Sequence, residues 1–174
     1  MTNYKQRLTQ INTLIFDVDG VLTDGKVMIT TEGEMYRQMD TKDGYALKCA
    51  ITAGLKVVII SGGTNEGVRN RLRALGVFDI YLGAHHKLDA YQDLLDNYDI
   101  DPSTILYMGD DMPDIPVMEL VGVSCCPIDA VPDVLAMADY VSPKKGGEGC
   151  VRDIIEQILR VQDKWGTLKS AKND

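Results

Sequence analysis

The chain has 174 residues, 45% of them hydrophobic, with 26 acidic against 18 basic side chains and a net charge of −8. That length and apolar content fit one domain, residues 1–174, around a real core. The acidic balance excludes the basic stripe that a nucleic-acid or anionic-membrane partner requires, but not a small anionic substrate met by a local positive field.

The chain alternates short β-rich runs with helical stretches. "MTNYKQRLTQ" lacks the apolar centre of a secretion signal. Strands are expected at 13–17, 55–60, 78–82, 104–109, 122–126 and 139–142, several continuously apolar, as strands covered on both faces should be. Helices are expected at about 44–53, 65–75, 87–98, 115–121, 131–137 and 149–164, the first two stopping at Gly54 and Gly76. This order predicts an α/β fold, a doubly wound parallel sheet with right-handed crossovers. Residues 20–43 break the rhythm, being far longer than an ordinary strand–helix loop. "KVMITTEGEMYRQM" reads as a β-hairpin insertion, about 23–39, whose apolar residues need something to pack on. "MYRQM" within it reads as a packing strip, and a tail at about 165–174 reads as frayed. No run reaches 18 apolar residues, so no membrane partner is expected. Cys49, Cys125, Cys126 and Cys150 lack metal-site spacing and read as free buried thiols of a cytoplasmic protein.

Ligands of such sheets bind at the carboxyl ends of the strands. There the sequence places Asp17 and Asp19, then Ser61 with Gly62 and Gly63, then Lys87, then Asp110, Asp111 and Asp114. Two carboxylates one residue apart repel each other unless a cation sits between them. The set suits phosphoryl transfer: Asp17 as nucleophile, Asp19 as acid and then base, and Ser61 with the amides around Gly62 as donors to phosphoryl oxygens. Lys87 supplies positive charge to nucleophile and phosphate. Mg²⁺ is the expected cofactor, held by a set drawn from Asp17, Asp19, Asp110 and Asp111 with a backbone carbonyl. Asp114 reads as a supporting residue or as the cap of the helix at Ile115. His85-His86 offers no third metal ligand; His86 is a candidate substrate neighbour, and His85 reads as surface.

These motifs resemble those of the haloacid dehalogenase superfamily: "DVDGV" its first, Ser61 its second, Lys87 its third and "GDDMPD" its fourth. With "DVDGVLTDG", the hairpin, "DTKDGYALKCA" and "GGEGCVRDII", the chain is more narrowly similar to the capless 3-deoxy-D-manno-octulosonate 8-phosphate phosphatases. The resemblance implies a haloacid-dehalogenase-type core without a cap domain and Mg²⁺-dependent hydrolysis of a phosphorylated sugar acid. It also implies a cytoplasmic homotetramer whose hairpins meet at its centre, a neighbouring subunit closing each active site. It carries substrate contacts onto Asp40, Thr41, Lys42, Asp43, Gly44, Lys48 and Arg71. Gly63 stands where that family has arginine, and His86 where it has Asn or Asp. A nine-carbon 2-keto-3-deoxy sugar acid 9-phosphate is the alternative substrate, and a non-catalytic tetramerising module the alternative role. A receiver-type signalling domain is disfavoured by motif order, since its acceptor Asp follows the third strand.

Overall fold

The computed structural model describes residues 3–165. Strands β1 (Thr13–Phe16), β4 (Lys56–Ser61), β5 (Asp79–Leu82), β6 (Ile105–Met108), β7 (Val123–Cys126) and β8 (Tyr140–Val141) form one parallel sheet in the order β5-β4-β1-β6-β7-β8. Two further strands, β2 (Met28–Ile29) and β3 (Met35–Tyr36), pair antiparallel as the hairpin between β1 and its helix. The helices are α1 (Tyr4–Arg7), α2 (Thr41–Thr52), α3 (Glu66–Ala74), α4 (Lys87–Tyr98), α5 (Ile115–Met118), α6 (Pro132–Met137) and α7 (Cys150–Val161).

Side chains of β1 alternate between two cores, as period-two geometry requires. Leu14 and Phe16 join a cluster with Leu47, Leu72, Ile154 and Ile158, whereas Ile15 joins Val58, Tyr91, Tyr107 and Val134 on the opposite face. Helix α7 buries Val151, Ile154, Ile155, Ile158 and Leu159, spaced three and four apart along one stripe. The chain winds outward from β1 in one direction through β4 and β5, then returns to β6 and winds the other way through β7 and β8. The reversal between β1 and β6 leaves a crevice at their carboxyl ends, where ligands of such sheets bind.

The expected doubly wound sheet is observed, with three local differences. Helix α1, capped by Asn3, and the single 3₁₀ turn after it lie where no element was expected, since one helical turn is too short to show a period. The stretch 115–121 is helical only as far as Met118, after a Pro-containing 3₁₀ turn at Met112–Asp114. Helix α2 begins at Thr41, because the Asp40 side chain accepts from the Lys42 N–H at 2.7 Å. The expected tail falls, apart from Trp165, outside the described residues. Among the described residues no helix is long and apolar enough to cross a membrane, and no separate cap domain covers the crevice.

Asp43 fastens α2 to α7. It is buried, its Oδ1 accepts from the Arg152 N–H at 2.7 Å, and its Oδ2 has no partner. Burial, only partly offset by the Arg152 N–H, pushes its carboxyl up to about 6. A carboxyl whose folded pKa lies above its unfolded one binds its proton more tightly when folded, so stability rises as pH falls through 6 towards 4. The slope is at most about 1.4 kcal/mol per pH unit. Asp43→Asn keeps the acceptor and removes the titration. Paired thermal melts should show the wild type gaining on Asp43→Asn between pH 7 and pH 5; parallel curves would contradict this.

Candidate active site

The four strand-end clusters converge in a cleft of about 410 Å³, lined by Asp17, Asp19, Ser61, Gly62, Gly63, Lys87, Asp110, Asp111 and Asp114, among others. Asp17 follows β1 directly, its N–H donating to the Met108 carbonyl at 3.1 Å, so its backbone is locked to the end of β6. Its Oδ2 lies 3.0 Å from Lys87 Nζ, and Lys87 reaches on to Asp114 Oδ1 at 2.6 Å. Lys87 opens α4 and is only 6% exposed; burial works against its charge, but Asp17 and Asp114 outweigh it and raise the ammonium above its usual value.

Asp114 is fully buried and fully used. Its Oδ1 accepts from Lys87 and from the Tyr107 hydroxyl at 2.6 Å, and its Oδ2 from the N–H groups of Asp110 and Asp111 at 3.1 and 3.2 Å. This folding-back requires Gly109, where a Cβ would lie 2.3 Å from the Asp114 carboxyl carbon. Gly20 is required for a similar reason. It has φ +89°, and a Cβ there would stand 1.9 Å from Asp110 Oδ2.

Oxygens of Asp17, Asp110 and Asp114 lie within 4.8 Å of one another. Burial, moderated by Lys87 and reinforced by Asp114, pushes Asp17 up to about 7. Burial, then the charges of Asp17 and Asp114, pushes Asp110 up to about 7 as well, and its Oδ1 is buried without a partner. An orphaned buried carboxylate oxygen facing a second crowded carboxylate is a donor set for a hard divalent cation, and Mg²⁺ fits it. Asp17 and Asp110 are the carboxylates free to bind it.

The converging set differs from the expected one. Asp19 turns its carboxylate to Arg37, with Nε to Oδ1 at 2.6 Å and Nη2 to Oδ2 at 3.0 Å. Asp111 is exposed and accepts from the Met112 N–H at 2.7 Å in a capping box with Asp114. Ser61, buried at the end of β4, accepts from the Gly63 N–H at 3.2 Å. Both histidines are exposed: His85 borders the acidic cleft and, together with His86, Arg69 and Asp89, lines the neighbouring recess.

None of the residues carried over for substrate from the resemblance lines this cleft. Asp40, Thr41 and Lys42 sit at the start of α2, with Thr41 and Lys42 exposed, while Asp43 is buried against α7 and lines no cleft among those described. Lys48 is half-buried on the same helix. Arg71 lines a second cleft of about 330 Å³ between hairpin and α3, packing where Gly44 lacks a side chain. Arg37 and Tyr107 were not singled out from the sequence. Arg37 lay inside a strip read as packing, where a lone charge among apolar neighbours was the available signal.

A sequence profile described as haloacid dehalogenase-like hydrolase matches residues 73–154. The 3-deoxy-D-manno-octulosonate 8-phosphate phosphatase of Salmonella typhi is 40% identical over 168 residues, 97% of this chain and 89% of that protein. The same-named phosphatase of Escherichia coli K12 is 42% identical over 159 residues, 91% of this chain and 85% of that one. The crystal structure of the Yersinia pestis phosphatase of that name superposes with a TM-score of 0.93 at 39% identity, covering 99% and 92% of the two chains. The Moraxella catarrhalis phosphatase, solved in complex with magnesium, phosphate and KDO, gives a TM-score of 0.91 at 30% identity over 96% and 97% of the chains. Motifs, sheet order and overall likeness agree, and the chain belongs to the 3-deoxy-D-manno-octulosonate 8-phosphate phosphatase family of haloacid dehalogenase-like hydrolases.

Proposed function

We propose that the protein is a Mg²⁺-dependent phosphomonoesterase that converts 3-deoxy-D-manno-octulosonate 8-phosphate into the free sugar acid and phosphate. The observation that carries the chemistry is the Asp17–Lys87–Asp114 chain beside the unpartnered Asp110 oxygen; the substrate comes from the relatives' names. Bound Mg²⁺ would be held by Asp17, Asp110 and the Asp19 carbonyl, and would neutralise charge on the phosphoryl oxygens. Lys87 fixes Oδ2 of Asp17 and the side chain attacks phosphorus. As the ester P–O bond breaks, Asp19 gives its proton to the leaving oxygen. Water then attacks the aspartyl phosphate and loses a proton to Asp19, and the P–O bond to Asp17 breaks. Ser61 and the amides after it receive the phosphoryl oxygens.

None of Asp40–Gly44, Lys48 and Arg71 lines the acidic cleft, and the hairpin exposes Met28, Ile29, Met35 and Tyr36. Both features support a homotetramer in which hairpins pack together and one subunit completes another's site. Ile29→Glu should therefore reduce the assembly to smaller species by light scattering; an unchanged tetramer would refute hairpin-mediated contacts. All four cysteines are free and buried, in keeping with a reducing, cytoplasmic setting. Phosphate release across the eight-carbon 8-phosphate and nine-carbon 9-phosphate keto-deoxy acids tests the substrate. Preference for the eight-carbon acid is expected. Preference for the nine-carbon acid would move the assignment, and release from neither would leave the non-catalytic reading.

A further inference from the structure

Arg37 sits where the hairpin returns to the cleft, and its guanidinium does two different things. Its Nε–Nη2 edge forks the Asp19 carboxylate in two parallel bonds, whereas Nη1 is buried without any acceptor. The side chain is only 9% exposed. Lys at this position would give one contact and fix no plane, because only a guanidinium matches a carboxylate with two bonds.

The surroundings hold this arrangement in place. Asn65 donates from Nδ2 to the Met35 carbonyl at 2.9 Å while its Oδ1 caps α3 through the Val68 N–H at 3.2 Å. One side chain thus ties β3, which Arg37 directly follows, to the helix behind the Ser61 loop. Gly63 leaves the room: a Cβ there would lie 3.4 Å from Asp19 Oδ2 and 3.5 Å from Arg37 Nη2. Any longer side chain would reach into the pair. Arg37 and the Asp19 carboxylate it holds therefore both border the loop that follows Ser61.

We infer that Arg37 is the positioning residue of the leaving-group step, setting the plane of the Asp19 carboxylate through its two-bond fork. The inference rests on the phosphatase reading above. When the ester P–O bond breaks, the proton of Asp19 passes to the departing oxygen and negative charge appears on its carboxylate. Arg37 faces that charge as it develops, and itself neither gains nor loses a proton. An aryl phosphate, whose leaving group departs as a stable anion, needs neither the proton nor its positioning.

The test compares Arg37→Ala, Arg37→Gln and Arg37→Lys with wild type, using Mg²⁺ and two esters: the sugar-acid 8-phosphate and p-nitrophenyl phosphate. The readout is kcat/KM, which covers the steps through loss of the leaving group. The alkyl ester should lose about 100-fold in Arg37→Ala and Arg37→Gln, against less than about 3-fold for the aryl ester. Arg37→Lys should recover only a minor part of the loss. Parallel losses on both esters, or full recovery with Lys, would reduce Arg37 to a hairpin anchor and overturn the inference while the phosphatase reading stands. A wild type inactive on both esters would overturn the phosphatase reading itself, and this inference with it.

Discussion

Asp17→Asn is expected to lower phosphate release by more than about 10³-fold while leaving the fold intact. The amide cannot attack phosphorus, so the covalent route closes at its first step. Stability should not suffer. Burial opposes the charge of Asp17, and the neighbouring Asp114 opposes it further. Lys87 keeps its 2.6 Å partner in Asp114 when Asp17 becomes neutral. The melting temperature without metal should therefore be unchanged or higher, read by a thermal melt beside the activity assay. A variant retaining a tenth of wild-type activity would remove Asp17 as nucleophile.

Asp114→Ala should produce the largest loss of stability. Asp114 is 0% exposed and accepts from an ammonium, a phenol and two backbone N–H groups. Without it the Tyr107 hydroxyl loses the acceptor it has here, and Lys87 is left buried against Asp17 alone. Breaking a buried ion pair in this way costs about 3–5 kcal/mol. For a chain of this size that lowers the melting temperature on the order of 10 °C. Asp114→Asn should fare little better, because its NH₂ must face either Lys87 and Tyr107 or the two backbone donors. Activity should fall too, since Lys87 loses the contact that aims it at Asp17. A shift below about 2 °C would show that the network contributes little.

The sheet and the cleft were largely legible because both depend on local patterns. Continuous apolar runs marked buried parallel strands, and polar residues directly after those runs fell on the carboxyl edge. What escaped depended on contacts distant in sequence. Arg37 reaches Asp19 across 18 positions through the hairpin, and a lone charge in "MYRQM" does not say which carboxylate it meets. Tyr107 looked like one more core residue of an apolar strand, and only the fold shows its hydroxyl on Asp114. Asp43 reaches α7 across 109 positions.

The most direct test of the central claim is a search for the covalent intermediate. The enzyme would turn over substrate with Mg²⁺, be quenched in acid during steady state, be reduced with borotritide, which converts an aspartyl phosphate into tritium-labelled homoserine with release of phosphate, and be cut with trypsin. Label is expected on the peptide that runs from Leu8 to Lys26 and contains Asp17, and is expected to be absent from Asp17→Asn. Steady phosphate release with no labelled enzyme, or label on another peptide, would contradict an aspartyl phosphate at Asp17.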